Sequence, residues 1–108
     1  MLTKDQILLV TDQARKEVPV PEWGGSVFIR GMTLEDVDFC QKLGDDSQSL
    51  EKTIVRFVCD ERGESLFSED DIPSLKKKSI QAFKRIVKEI RLFNSIEEAE
   101  KNSEGTPD

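Results

Sequence analysis

The apolar pattern changes period twice in the first third of the chain. Leu2-Thr3-Lys4-Asp5-Gln6-Ile7 reads as a helix entry, with Thr3 as cap, Gln6 completing a capping box and Leu2 able to staple onto Ile7. The spacing predicts a helix of about two turns that fades near Thr11 and Asp12. From Lys16 to Pro21 the chain reads Lys-Glu-Val-Pro-Val-Pro, where two prolines hold extended dihedrals, exclude helix and require an edge strand. Gly24-Gly25 then separates Val18/Val20 from Val27/Phe28/Ile29, the composition of a tight turn, so residues 17–31 are predicted to form a β-hairpin. A two-stranded ribbon is marginal in water, so one face must lie on helices or pair with another chain.

The helical period returns at Thr33, a cap followed by Glu35 and Asp36 where the helix dipole favours acids, and it lasts to Leu43-Gly44. After the Gly44-Asp45-Asp46-Ser47 break, Leu50, Ile54, Phe57 and Val58 recur at helical spacing, and Val55 and Cys59 widen the stripe. A helix apolar over more than half its circumference is central, so residues 49–61 are expected to be the most buried element, closed by Gly63 in the C′ role. Leu66-Phe67 is extended. Ser68 caps an acidic first turn that tolerates Pro73, with Phe67 able to staple onto Ile72. Lys76-Lys77-Lys78 ends that short helix, and Ser79 caps a last one running to about Asn94. Ile80, Phe83, Ile86, Val87, Ile90 and Phe93 form its apolar face; Lys84, Arg85, Lys88 and Arg91 form a basic flank, and Leu92 falls on the polar side. The fold class is therefore α+β, mainly helical: a small single domain over residues 1–95, with about four to five helices and an N-terminal β-hairpin. Residues 96–108 are acidic and apolar-poor, and are expected to be a disordered tail.

Charge narrows the function classes. With 22 acidic against 16 basic residues the net charge is −6, which argues against a general affinity for nucleic acid. No apolar run approaches the roughly 18 residues of a membrane span, and the start of the chain lacks a signal-peptide pattern, so a soluble protein is expected. Cys40 and Cys59 lack the spacing of a redox or metal motif and read as small buried side chains in a reducing interior.

Candidate chemistry is sparse. The chain has no His and no Tyr, which removes the usual general base and the His ligands of most zinc and iron sites. Asp45/Asp46 and Asp70/Asp71 lack the alternating pattern of a calcium loop and read as loop and cap residues. No phosphate-cradling glycine motif or nucleophile elbow is present, so neither a cofactor nor a catalytic site is expected. A binding protein remains. Trp23 has two readings, a partner anchor beside a flexible turn or a cover for the hairpin end. The basic flank likewise is either an ordinary solvated face or a surface for a neighbour.

Two blocks of the chain resemble the tail assembly chaperones of phages with long non-contractile tails. The first is Val18-Pro-Val-Pro-Glu-Trp-Gly-Gly-Ser-Val-Phe-Ile-Arg30 followed by Met32-Thr33. The second is Cys59-Asp-Glu-Arg-Gly-Glu-Ser-Leu-Phe-Ser-Glu-Asp-Asp71, followed by Leu75, Lys78-Ser79 and an Ile-rich helix ending Leu92-Phe93-Asn94. The resemblance spans residues 3 to about 95. It implies a protein of an infected or prophage-bearing cell that acts in the host cytoplasm, binds the tape measure protein, with tail tube subunits as a second candidate partner, and is absent from the finished virion. It also implies self-association and, in many members, a longer form made by ribosomal frameshifting. The expected contacts are Trp23 and Phe28 on the hairpin with Lys84, Lys88, Arg91 and Leu92 on the last helix. Another phage morphogenesis or regulatory adaptor of similar fold is the rival reading, and an enzyme working with carboxylates alone is the weaker one.

Overall fold

The structure is a computed structural model and describes residues 1–94. Helix α1 (Lys4–Leu9) carries the full Thr3–Gln6 capping box but buries none of its residues. Leu2 and Ile7 both stay exposed. The hairpin forms as strand β1 (Arg15–Val20), a 3-10 turn (Pro21–Trp23) and strand β2 (Gly25–Arg30). Gly24 sits at φ 76°, a left-handed turn position suited to glycine. In the antiparallel register Val18 faces Val27 and Lys16 faces Ile29, so Val18, Val20, Val27 and Ile29 share one side of the sheet. Pro19 lies in β1, which is an edge strand as its proline requires.

Helix α2 (Leu34–Leu43) starts at the Thr33 cap, with Asp36 completing a capping box. Helix α3 (Ser49–Phe57) ends four residues before the predicted boundary at 61. Val58–Cys59 instead forms strand β3, pairing Phe28 with Cys59 and Ile29 with Val58, and giving the sheet order β1-β2-β3. The physical reason lies in β2: Ile29 needs cover on the core face, and β-branched Val58 opposite it supplies a cross-strand apolar pair. Gly63, expected to close the helix, is at φ 88° in the loop that follows β3. There Asp60 accepts from the backbone N–H groups of Arg62 (2.8 Å) and Glu64 (3.0 Å).

Ser68 and Asp71 form the next capping box around a 3-10 turn (Glu69–Asp71), which leads into helix α4 (Ile72–Leu75) with Pro73 in its first turn. Ser79 caps helix α5 (Ile80–Phe93) through the Gln81 N–H. Helix α5 packs on β1 and on α3. It buries Ala82, Phe83, Ile86 and Ile90, while segment 49–61 buries Ile54, Phe57, Val58 and Cys59 and exposes only Glu61, so that segment is as buried as expected and shares the core with the last helix. The buried residues of α3 and α5 join Val18, Val20, Ile29, Val58 and Leu75 in one cluster, each large side chain contributing about 1.5–3 kcal/mol by leaving water. Asn94 ties the end of α5 to the β2–α2 junction: its Oδ1 accepts from the Met32 N–H at 2.7 Å. The acidic tail expected from residue 96 lies outside the described residues.

Candidate protein-binding groove

Helix α2 is attached to the domain mainly at its first turn. Asp36, 1% exposed, is its buried residue. Its carboxylate accepts two hydrogen bonds from Arg30, at 2.7 and 3.2 Å, one from Arg56 Nε at 2.6 Å, and one from the Thr33 N–H at 2.9 Å. Arg30 also donates to the Arg56 carbonyl at 3.1 Å. Both guanidinium groups lie against rings, Arg30 at 5.1 Å from the Phe57 centroid and Arg56 at 4.3 Å from that of Phe39. Burial alone would raise the Asp36 pKa. The hydrogen bonds from Arg30, Thr33 and Arg56 outweigh it and hold the carboxyl far below the ordinary carboxylate range.

Past that attachment, α2 touches the domain through Phe39 on Arg56 and Cys40 on the core, and between α2, α3 and α5 lies an open groove of about 580 Å³. Val37, Cys40 and Leu43, at three-residue spacing, present one apolar face from α2. Leu50 and Thr53 of α3 face them, Val87, Ile90 and Arg91 of α5 line the other side, and Met32 lies at the junction end. A smaller hollow of about 260 Å³ shares Leu50, Val87 and Arg91 and adds Lys84 and Lys88. Among the described residues none of these three cations forms an ion pair. The groove therefore has an apolar floor and a cationic rim, the surface that an amphipathic helix with acidic flanks fits.

The six expected contact residues do not form one surface. Lys84, Lys88 and Arg91 come together at the groove, and Leu92 is 47% exposed one step further round α5. Trp23 is half-buried on the far side, edge-on to Phe83 at 6.1 Å, with its indole N–H enclosed and without an acceptor among the described residues. Phe28 is half-buried on the outer face of the sheet, opposite Glu17 and Cys59. Arg85, expected in the basic flank, lies instead on the opposite flank of α5. It makes a two-pronged ion pair with Glu22, one arm at 2.9 Å, while Glu89 on the same flank takes Lys16 at 2.8 Å. At 100° per residue, positions 85 and 89 fall near each other and well away from 84, 88 and 91.

The ion-paired node and the apolar lining of the groove were not among the sequence expectations. Two signals pointed toward the node: Arg56 interrupts the apolar run of α3, and Arg30 ends the hairpin. The thiols of Cys40 and Cys59 are both pushed up by burial, which makes them poor nucleophiles. Among the described residues no three His, Cys, Asp or Glu side chains stand together as a metal site, and no helix is long and apolar enough to cross a membrane.

Residues 3–91 match the profile of the family described as phage tail assembly chaperone. No curated protein matches the chain. The fold is similar to that of the bacteriophage HK97 tail assembly chaperone, with a TM-score of 0.57 at 19% identity, covering 82% of this chain and 90% of that one. A family match over most of its length and the same fold place this chain in the phage tail assembly chaperone family, whose members act as chaperones rather than as enzymes.

Proposed function

We infer that this chaperone acts on the tape measure protein, holding its apolar helical stripes in the groove between α2, α3 and α5 before the tail polymerises. The observation that carries this reading is the groove itself: an open apolar floor beside Lys84, Lys88 and Arg91, which no described carboxylate neutralises. A long helical client exposes repeated amphipathic faces, and many weak contacts from many chaperone copies cover them without nucleotide hydrolysis. Tail tube subunits are a second client of the same chemistry. The protein works in the host cytoplasm and leaves before the virion is complete. Trp23, packed on Phe83, supports the groove from behind, and Phe28 and Leu92 lie outside it.

Co-expression with the tape measure protein of the same gene cluster, followed by affinity capture, tests the reading. Soluble tape measure is expected in the complex, and Lys84→Glu with Arg91→Glu should release it while the circular dichroism spectrum stays the same. Capture that is indifferent to this charge reversal removes the groove from the function. A tape measure that stays insoluble beside the folded chaperone removes the client.

A further inference from the structure

The structure leaves two apolar surfaces of this chain uncovered, and each has what the other lacks. One is the concave groove. The other is the N-terminal segment, where Leu2, Ile7, Leu8, Leu9 and Val10 are all exposed, Leu8 at 71% and Leu9 at 83%. An isolated helix of two turns is marginal in water, and a capping box does not change that, so α1 needs a surface to lie on. Its own domain does not supply one: α1 buries no residue. The segment is rooted firmly at its far end. The Gly31 N–H donates to the Ala14 carbonyl at 2.8 Å, and Gln13 Nε2 donates to the Gly31 carbonyl at 3.0 Å. Extended residues from Val10 onward then carry α1 away from this root, which is beside Met32 at the mouth of the groove.

We propose that residues 2–10 form an exchange arm that seats its aliphatic side chains in the α2/α3/α5 groove of a second copy of this chain. Each copy offers one arm and one groove. In a reciprocal pair two such seats form together, and each copy covers both of its exposed apolar surfaces at once. Such exchange of a terminal element is a low-cost route to association, because the arm gives up no contacts when it leaves its own domain. The seat overlaps the surface assigned above to the tape measure protein, so arm and client exclude one another there; that exclusion, unlike the exchange itself, rests on the functional reading.

Cys40 lines the groove and gives a direct test with the purified full chain alone. In a Leu9→Cys variant treated with copper phenanthroline at mildly alkaline pH, a disulfide-linked dimer or ladder is expected, lost on reduction and absent when Cys40→Ser is added. Cys59, 1% exposed, should not compete. A cross-link within one chain, a dimer that persists with Cys40→Ser, or no cross-link would each overturn the proposal. By sedimentation equilibrium, Leu8→Asp with Leu9→Asp should weaken self-association at least tenfold and leave helix content nearly unchanged, since the arm adds nothing to the core. Groove residue Val37→Glu, on the exposed face of α2, should do the same. Unchanged association in either variant overturns the exchange, whereas failed capture of tape measure by an associating chaperone counts only against the function.

Discussion

Two of the places where opposite charges meet in this domain, around Asp36 and along the β1 side of α5, differ in almost everything except the chemistry. At the first, one carboxylate, 1% exposed, takes four donors from β2, the α2 cap and α3. At the second, Glu22–Arg85 and Lys16–Glu89 join α5 to the hairpin at the surface, with both pairs open to water. In solvent the Coulomb term is screened and side-chain entropy cancels much of it, whereas a buried charge that loses a partner has nothing to replace it. The buried cluster therefore decides whether α2 stays attached, and the exposed pairs only trim the angle at which an already apolar interface closes.

The strongest way to break this contrast is Asp36→Ala, which strands two guanidinium groups at the junction and should cost about 3–5 kcal/mol in urea unfolding. Acid should remove the same contribution without a mutation. The folded-state pKa of Asp36 lies below its unfolded value, so its stabilisation is complete above the ordinary carboxylate range and shrinks as pH falls through and below that range. In Asp36→Ala the acid-side slope of stability against pH should accordingly be shallower. Arg56→Lys keeps the charge but loses the planar donor and its stacking on Phe39, for an expected loss of about 1–2 kcal/mol. Glu22→Gln is expected to be the mildest, moving the melting midpoint by roughly 2 °C or less. Added salt should erase that shift and leave the Asp36→Ala effect standing, since screening reaches only exposed charges. An equal response of both clusters to salt would undo the comparison.

The same division between local and non-local causes explains what the amino-acid sequence disclosed. Four starts were legible because each rests on a cap a few residues away: Thr3, Thr33, Ser68 and Ser79 all stand where their side chains imply, whereas α3 begins without a side-chain cap and was legible from its spacing alone. The hairpin was legible from Pro19, Pro21 and the Gly24-Gly25 pair. Val58–Cys59 was not, because its apolar residues continue the α3 stripe without a breaker and only the presence of Ile29 on β2 turns them into a strand. Arg85 was misplaced among the basic residues because composition alone ignores that Glu22 awaits it on the other flank, 63 positions earlier. For the groove, the residue types were visible but their partial exposure was not: Val37, Cys40, Leu43, Leu50 and Val87 look like core positions, and only the way α2 meets α3 and α5 leaves a groove along them.

The short third strand has a consequence for which backbone groups of the sheet remain open to another chain. An open sheet can recruit foreign backbone along either margin, the route by which β-rich chains grow into fibres. Here one margin is β1, interrupted by Pro19, which has no N–H to offer, and studded with Arg15, Lys16 and Glu17. The other is occupied by the chain's own return: Cys59 bridges to Ser65, and the Leu66 N–H donates to the Val58 carbonyl at 3.3 Å. Pro19 on one margin and the Ser65–Leu66 return on the other thus each stand against the addition of a foreign strand.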